Sequence, residues 1–557
     1  MVKNFPLPQP STGQIIHDEF VDDREKRLLD QRLCVIEPLE IIVPKSGDID
    51  TREMIKMYKM ENGDKNVTVE EADDELFANG CKRLQNIVDT NLGYQWKLAQ
   101  LLPDFSDSSA GCLFVLVEYL KQFGMVAAIA ASDIHSFGEE MRENDQNPPM
   151  RLPAITLRNL ELFQTVASAS LSGGKGSLFH AINRTKTRMG ARMLRNWLSQ
   201  PLTNVDRIKE RQKVITFLLQ PTNEISSNFR RKAFFKSVDL EVALMASLYK
   251  KIKPGDFLRL CQSMSKLCNE AEAAIAESQD IGEMPSLMKN ILNEIISAFH
   301  KSRDFLLQFD HQAAKDLKWE SLFNSPPTYV NLKREEIAEL ETKLEAHKGE
   351  IMKLLGLFSF KYATVSGLEY LIEVKQSIAR SVPKDWTKIN STKQVARFRS
   401  PFIVSNMPKL QYLRECLMVE CKRAWRNFLG EFALSSFALF QKGAKSVAEL
   451  DCLISMADVA RGDGFCAPEF NDLGQVTIRR GRNLIVERSL SMHEQFVPND
   501  VDLAISGPRA LVLTGPNMGG KSCYIRQLGT IAVMAQMGCY VPATRANLPV
   551  FDGLFVR

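Results

Sequence analysis

The chain has 557 residues, of which 45% are hydrophobic and 25% charged, and these proportions are typical of a globular protein with three or four domains. Its net charge of +4 is too small to indicate nucleic-acid binding, so that function has to be argued from local clusters of charge. Eleven cysteines without a C-x-x-C pair and only seven histidines argue against a disulfide framework or a zinc site and favour free thiols in a reducing compartment.

The first 150 residues predict a lead-in followed by a small α/β domain. Residues 1–33 are polar and charged, with three prolines near the start, and we expect them to be poorly ordered. The segment from Cys34 to Pro44 is rich in β-branched residues and predicts a strand, whereas Leu113 to Phe123 predicts an apolar helix. Residues 34–150 are therefore expected to form a domain that the turn residues 146–149 close.

Residues 151–356 predict a helical core that ends in one long helix. Apolar residues recur at three- and four-residue spacing over residues 155–320, with few strand signals. A narrow apolar seam on a charged background follows and consists of Ile337, Leu340, Leu344, His347, Ile351 and Leu354. A matching seam, assigned to a returning helix over residues 409–455, consists of Leu410, Leu413, Leu417, Cys421, Trp425, Phe428 and Phe432.

Between the two seams, residues 357–408 change to strand chemistry. The stretch Thr364 to Val374 is enriched in β-branched and aromatic residues around the turn residue Gly367. The seams should pack as an antiparallel pair because the segment that joins them is short. The pattern predicts a lever with a small β module at its tip, and the alternative is an ordinary coiled-coil insertion.

Positive charge is concentrated in this β module. Its basic residues are Lys375, Arg380, Lys384, Lys388, Lys393, Arg397, Arg399 and Lys409. The only acid among them is Asp385, and the aromatic residues Trp386 and Phe398 are interleaved. Such a cluster fits contact with a phosphate backbone, although nothing in it indicates reading of base edges. The alternative is a solvated basic face.

A second basic cluster lies between Lys175 and Arg195. Placed on one helix that begins near His180, its residues Arg184, Arg188, Arg192 and Arg195 would share a face. Four like charges on one face destabilise a helix unless an anion or acidic side chains lie opposite. The cluster therefore predicts either contact with DNA or pairing with an acidic neighbouring domain.

A glycine-rich loop near the end of the chain predicts nucleotide binding. Its residues, which fit G-x-x-x-x-G-K-[ST], are Gly515, Pro516, Asn517, Met518, Gly519, Gly520, Lys521 and Ser522. Ala510 to Thr514 predicts a buried strand before the loop, and Cys523 to Met537 predicts a helix after it. Such a loop points main-chain amides at phosphates, while Lys521 would reach the β- and γ-phosphates and Ser522 would bind Mg²⁺. The alternative is a degenerate loop that binds nothing.

Residues 456–557 are assigned to a partial P-loop domain of this kind. Phe496 precedes the loop and could stack on a base, although the pattern alone favours a core aromatic. After Ser522 the only acid is Asp552, and no apolar strand precedes it as one would precede a metal-holding acid. We therefore expect the hydrolytic half of the site to be absent from this chain. The longest apolar window nearby, Ile531 to Val541, is too short to cross a bilayer.

The chain resembles the MutS family of DNA mismatch repair proteins, and most of all its eukaryotic homologue-three subfamily. The matching segments are Thr514–Ser522, Met534–Ala543, Leu157–Leu162, Gly176–Phe179, Asn183–Thr187, Val382–Trp386, Ser391–Lys393 and Arg397–Pro401. The resemblance implies a multidomain α/β and mainly α protein with a connector (34–150), a helical core with long lever helices (151–356 and 409–455), a small β clamp (357–408) and a partial ABC-type ATPase domain (456–557).

The same resemblance implies the ligands and partners. It implies ATP and Mg²⁺ at the loop, with Phe496 stacking on adenine, and DNA-backbone contacts from Lys384, Lys388, Lys393, Arg397 and Arg399. It further implies a nuclear subunit that pairs with MutS homologue two, binds double-stranded DNA with insertion–deletion loops or mismatches, and recruits MutL-type proteins. A mismatch-reading domain and the end of the ATPase domain are expected to be missing.

Three functional hypotheses follow. The first is an ATP-binding mismatch repair subunit, whose own ATPase activity stays open. The second is a non-catalytic, truncated interaction module that occupies a partner without turning over ATP. The third is a meiotic recombination relative, because such MutS proteins also lack the mismatch-reading domain.

Overall fold

The fold is given by a computed structural model, which describes residues 2–4, 7–9, 14–62, 66–89, 105–123, 133–136, 148–164, 176–281, 283–490, 495–504, 507–517 and 519–557. The chain divides into two compact units. The first comprises Met1–Ile252, Arg259–Arg303 and Ser436–Arg557, and the second comprises Lys253–Leu258 and Asp304–Ser435. Within the described ranges, no helix combines the length and the apolar character needed to cross a membrane.

The N-terminal part of the first unit is a small α/β region. Its strands are β1 (Val2–Asn4), β2 (Leu7–Gln9), β3 (Gln14–His17), β4 (Glu19–Val21), β5 (Glu40–Pro44), β6 (Thr68–Ala72) and β7 (Asp133–Ser136). Its helices are Arg27–Ile36, Ile49–Glu61, Asp74–Phe77, Gly80–Asp89 and Asp107–Gln122. The strands pair as β1-β4, β2-β3-β7 and β5-β6. One apolar cluster includes Leu29, Ile41 and Tyr58, and another includes Leu84 and Leu113.

This region differs from the prediction in two places. Residues 1–33 were expected to be poorly ordered, but their described parts contain β1 to β4 and most of the helix Arg27–Ile36. The predicted strand from Cys34 to Pro44 is wrong in its first part, since Cys34 to Ile36 complete that helix and the strand begins at Glu40. The helix wins because Leu29 and Leu33 lie four residues apart and are both buried, while Pro38 separates helix from strand. The predicted helix at Leu113 is confirmed.

The described residues between 155 and 320 are mainly helical, as predicted. Their helices are Ala154–Asn159, Leu178–Ile182, Arg188–Ser199, Val205–Leu218, Ile225–Asn228, Leu240–Leu248, Pro254–Ile281, Ser286–Phe299, Ser302–Leu306 and His311–Asp316, with a π-helical turn Phe229–Ala233 and a 3₁₀ turn Trp319–Ser321. The single helix expected near His180 is in fact two, because the chain leaves the helical conformation at Asn183 and re-enters it after Thr187. The hydroxyl of Thr187 caps the second helix by accepting a hydrogen bond from the Gly190 amide.

In the second unit, two long helices pack side by side. They are Thr328–Leu355 and the first part of Pro401–Ala460. Their predicted seams share one buried cluster, which includes Leu344, Ile351, Leu410 and Leu417. Their antiparallel direction follows from two cross-contacts. Arg414 pairs with Glu341 at 2.9 Å, and further along the first helix His347 contacts Ser400 at 2.9 Å.

The predicted β module between these helices is confirmed. Its strands are β8 (Ala363–Val365), β9 (Leu368–Lys375), β10 (Thr387–Ser391) and β11 (Val395–Arg399), in the antiparallel order β10-β11-β9-β8. One face of the sheet is apolar, since Phe398 lies opposite Ile372 and both are buried against the long helices. The other face carries the charged residues.

The C-terminal part of the first unit is a four-stranded sheet with one long helix. The strands are β12 (Glu469–Phe470), β13 (Val476–Gly481), β14 (Asn499–Leu503) and β15 (Arg545–Leu548), in the order β12-β15-β13-β14. The helices are Leu484–Ser489 and Lys521–Gln536. The second of these, called the loop helix below, begins within the glycine-rich loop and confirms the predicted helix.

Candidate functional site

The glycine-rich loop ends in the first turn of the loop helix. Gly520 is the residue before the helix and adopts a left-handed conformation with φ of 88°. A Cβ placed there would meet nothing within 4 Å, so the backbone angle and not crowding favours glycine. The loop residues Pro516 and Asn517 are exposed, and Met518 lies outside the described residues. An exposed loop at a helix N-terminus presents main-chain amides to solvent.

The ammonium group of Lys521 folds back over this loop. Its Nζ donates hydrogen bonds to the carbonyl oxygens of Gly515 at 2.5 Å and Pro516 at 2.9 Å. Within the described part of the chain, no carboxylate pairs with this ammonium. Its charge is therefore balanced only by main-chain dipoles, and the loop fits an anionic ligand that would replace those carbonyls.

The predicted buried strand before the loop is wrong. Residues 510–514 have no strand assignment, and Leu511 and Val512 are 54% and 85% exposed. A segment forms a β-strand only when it hydrogen-bonds to an adjacent strand, and within the described residues no strand pairs with this segment. The apolar composition of residues 510–514 suits a buried strand, but no described strand pairs with the segment to form one.

Phe496 lies half-buried three residues before β14. That strand is joined to the loop helix, because the Tyr524 hydroxyl donates to the Asp500 carbonyl at 2.9 Å and the Asn499 amide donates to Gln527 at 3.3 Å. The strand that follows Phe496 therefore contacts the loop helix. The described residues record no contact between the ring of Phe496 and the loop itself.

Two oxygen-bearing side chains from the sequence analysis, Ser522 and Asp552, are considered as metal ligands. Ser522 is exposed on the first turn of the loop helix. The side chain of Asp552 is 92% exposed and lies 3.6 Å from the guanidinium of Arg151. In the ranges that the structure describes, no group of three or more histidine, cysteine or acidic side chains has the geometry to hold a metal ion.

Two residues that sequence reasoning missed hold the far end of the loop helix. Gln536 is buried, and its side-chain amide bonds to the Leu202 carbonyl at 2.7 Å and to both main-chain groups of Phe551 at 2.9 and 3.0 Å. Arg211 is also buried, donates to the Met537 carbonyl at 2.9 Å, and places its guanidinium 3.4 Å from the centre of the Trp197 ring.

Arg211 is a charged side chain on an otherwise apolar helix face. Burial lowers its pKa to about 10, so the group remains charged at neutral pH. Its charge interacts with a carbonyl that the end of a helix leaves unpaired. The available sequence signal was its spacing of three residues from both Ile208 and Val214, which placed a cation among buried apolar positions. Together, Arg211 and Gln536 fasten the C-terminal end of the loop helix to the helical core.

The basic β module separates into structural and exposed cations. Arg397 pairs with Glu373 at 2.7 Å across β9 and β11, and Arg399 donates to the Glu369 carbonyl at 2.6 Å. In contrast, the cations at three other predicted positions are exposed and form no ion pair with any described residue. These three are Lys384, Lys388 and Lys393. The exposed lysines can meet a phosphate backbone, whereas the two arginines already hold the sheet together.

Two cations of the second basic cluster form ion pairs. Arg192 pairs with Asp239 at 2.8 Å and also with Glu241, while Arg195 pairs with Glu37 at 2.7 Å. Both cations are therefore satisfied by acidic side chains of neighbouring elements, which was one of the two predicted outcomes.

Comparison with known proteins finds matches in one family. A family model of MutS domain III matches residues 155–457, more than half of the chain, and a model of MutS domain V matches residues 511–557. Over 99% of its length the chain is 30% identical to the DNA mismatch repair proteins Msh3 of Homo sapiens and Mus musculus, of which it covers 48% and 50%. It is 31% identical to msh3 of Aspergillus oryzae, again over 99% of its length and 50% of that protein. The chain spans about half the length of these relatives.

Proposed function

Because this chain belongs to the MutS family, we propose that it is an ATP-binding, DNA-clamping subunit of mismatch repair. The observation that carries the proposal is the exposed loop at Lys521, within the segment that matches MutS domain V. Among the described residues, the partners of this cation are two main-chain carbonyls. The names of the similar proteins, all DNA mismatch repair proteins, support the pathway.

The proposed nucleotide is ATP with Mg²⁺. The amides of Gly515, Gly519 and Gly520 and the ammonium of Lys521 would hold the phosphates, and Ser522 would hold the metal ion. Pro516, Asn517 and Met518 would shape the loop, and Phe496 would stack on adenine. Lys521 would exchange its hydrogen bonds to the carbonyls of Gly515 and Pro516 for contacts with the negatively charged triphosphate.

The proposed nucleic acid is double-stranded DNA that contains an insertion–deletion loop or a mismatch. Lys384, Lys388 and Lys393 would neutralise backbone phosphates, while Arg397 and Arg399 support the sheet that presents them. The proposed setting is the nucleus, with MutS homologue two as the partner in a heterodimer and with MutL-type proteins recruited to it.

Two variants of the full chain test whether the sites are separate. We expect Lys521→Ala to remove binding of a fluorescent ATP analogue and to leave duplex affinity unchanged. The triple variant Lys384→Ala, Lys388→Ala, Lys393→Ala should do the reverse, weakening DNA binding at least tenfold at 100 mM salt. Loss of both activities in either variant would contradict the two-site proposal. Both measurements are repeated with MutS homologue two present, and failure to bind ATP in both conditions would favour the non-catalytic interaction module.

A further inference from the structure

In the described part of the second basic cluster, three cations form no ion pair. Arg184 and Lys186 lie in the connection between the helices Leu178–Ile182 and Arg188–Ser199, and Arg188 is the first residue of the second helix. All three are exposed, and none forms an ion pair with any residue that the structure describes. This distinguishes them from Arg192 and Arg195, one and two turns further along, whose charges are paired.

The backbone of this connection is held in place. The Arg184 amide donates to the Ser455 hydroxyl at 2.8 Å, and the Arg184 carbonyl accepts from Arg230 at 3.0 Å. The amides of Lys186 and Thr187 donate to the buried carboxylate of Asp451 at 2.7 to 3.0 Å. The three exposed side chains therefore project from a fixed main chain and not from a freely moving loop, which lowers the entropy lost on binding.

A fourth cation reaches the same place from a different element. Arg488 lies on the helix Leu484–Ser489, which packs against Leu178–Ile182. Burial and the positive charge of Arg184 lower the pKa of Arg488, while the neighbouring carboxylate of Glu487 raises it. Like charges held together in this way bind an anion that relieves the repulsion.

The nearby acids are already engaged. Asp458 pairs with Arg230 and with Arg461, and Glu487 pairs with Arg482 at 2.8 Å. The carboxylate of Asp451 is buried beneath the connection and accepts main-chain hydrogen bonds. Glu487 also acts electrostatically on Arg488, but Arg184, Lys186 and Arg188 form no ion pair with any described carboxylate.

The surroundings favour a phosphate backbone over a peptide. Protein partners usually anchor through apolar or aromatic side chains at the centre of an interface. Within the described residues 176–234 and 484–490, no large hydrophobic side chain is strongly exposed, and the nearest one along the chain is Phe235, which is 64% exposed. A surface that offers only arginine and lysine matches a regular array of phosphates, where each cation meets one charge.

We propose that Arg184, Lys186, Arg188 and Arg488, called the core patch, form a second contact surface for the phosphate backbone of double-stranded DNA. The core patch belongs to the first unit, whereas the three clamp lysines belong to the second. The inference rests on the DNA-binding function proposed above. The core patch would contact DNA without regard to base sequence and would make the affinity for DNA more dependent on salt.

The test is the salt dependence of binding to a fluorescein-labelled 30-base-pair duplex without mismatches. The full chain is compared with the triple variant Arg184→Ala, Lys186→Ala, Arg188→Ala and with the single variant Arg488→Gln. A plot of log affinity against log salt has a negative slope, and each lost phosphate contact reduces the magnitude of that slope by about 0.9. The triple variant should therefore reduce this magnitude by about 2 to 3 and weaken binding at least tenfold at 50 mM salt. Arg488→Gln should reduce it by about 1.

A matched control removes the same net charge elsewhere in the first unit. Lys209→Ala, Lys289→Ala, Lys301→Ala replaces exposed lysines that form no ion pair with described residues, and it should leave the slope unchanged. Equal effects of the control and the core-patch triple would overturn the inference by reducing it to net charge.

The remaining outcomes separate the inference from the function on which it rests. If the clamp triple weakens DNA binding and the core-patch triple does not, only the inference fails. If the unmodified chain binds no duplex, both fail. A polyglutamate peptide serves as a second probe. Were the core-patch triple to lose binding of this peptide with full DNA affinity, the surface would be a site for acidic peptides instead.

Discussion

Replacing Gln536 by leucine should loosen the far end of the loop helix. The change keeps the side chain's approximate size but removes three hydrogen bonds, and it leaves the Leu202 carbonyl and two main-chain groups of Phe551 without partners. A buried polar group that loses its partner destabilises by about 1–3 kcal/mol. Leu202 is buried, whereas Phe551 is half-buried and partly reached by water. After allowing for the added apolar burial, we expect a net loss of about 2–4 kcal/mol.

The matched control lies on the same helix. Gln527 is also fully buried, but its Nε2 has no hydrogen-bond partner in the described structure, and its Oε1 accepts only one long bond of 3.3 Å from Asn499. Gln527→Leu therefore removes one weak bond and one unpaired donor. These effects oppose each other, so the expected change in stability is within about 1 kcal/mol.

Hydrogen–deuterium exchange of peptides covering residues 528–541 measures the local opening free energy, which avoids assuming that a protein of two units unfolds in one step. A loss of about 2–4 kcal/mol corresponds to exchange roughly 30- to 1,000-fold faster. For Gln527→Leu, the rates should stay within about fivefold of the unmodified chain. Similar rates in both variants would refute the reasoning, because burial alone and not hydrogen bonding would then set the stability of this end.

Three further predictions concern packing, charge and thiol chemistry. Gly190→Ala should destabilise the protein by at least about 2 kcal/mol in thermal unfolding, because the added Cβ would lie 2.5 Å from a buried carboxylate oxygen. Gly349 has open space around it, so Gly349→Ala should stabilise its helix by about 0.5–1 kcal/mol. The opposite order of the two effects would contradict the packing. Arg192→Ala should cost about 2–3 kcal/mol, discounted for its partial exposure, because it removes the cation that pairs with two mostly buried carboxylates. Arg188→Ala should leave the melting temperature unchanged, and equal shifts in the two variants would show that the pairing contributes nothing. Burial raises the pKa of the Cys539 thiol from 9.0 to about 12, so at pH 8 iodoacetamide should alkylate it at least about 100-fold more slowly than in urea, as mass spectrometry would show; comparable rates would mean that the thiol is not buried.

Much of the secondary structure near the site could be predicted from local sequence. The seams at Leu344 and Leu417 gave two long helices, because apolar residues at three- and four-residue spacing have a defined face wherever the helix packs. The glycine loop and the helix after it followed from turn chemistry within a few residues. The first part of the strand predicted from Cys34 to Pro44 was wrong because a short apolar run suits either helix or strand, and Pro38 marks the boundary only once the helix before it is known.

The sequence by itself therefore determined the elements whose causes are local: the helix faces, the β module and the exposed loop at Lys521. Only the tertiary structure decided which basic side chains form ion pairs. Arg195 pairs with Glu37, Arg397 pairs with Glu373 on the adjacent strand, and Arg184 forms no ion pair with any described residue. The physical reason is that helical periodicity acts over a few residues of chain, whereas the electrostatic environment of a side chain is set by whatever folding brings within a few ångströms of it.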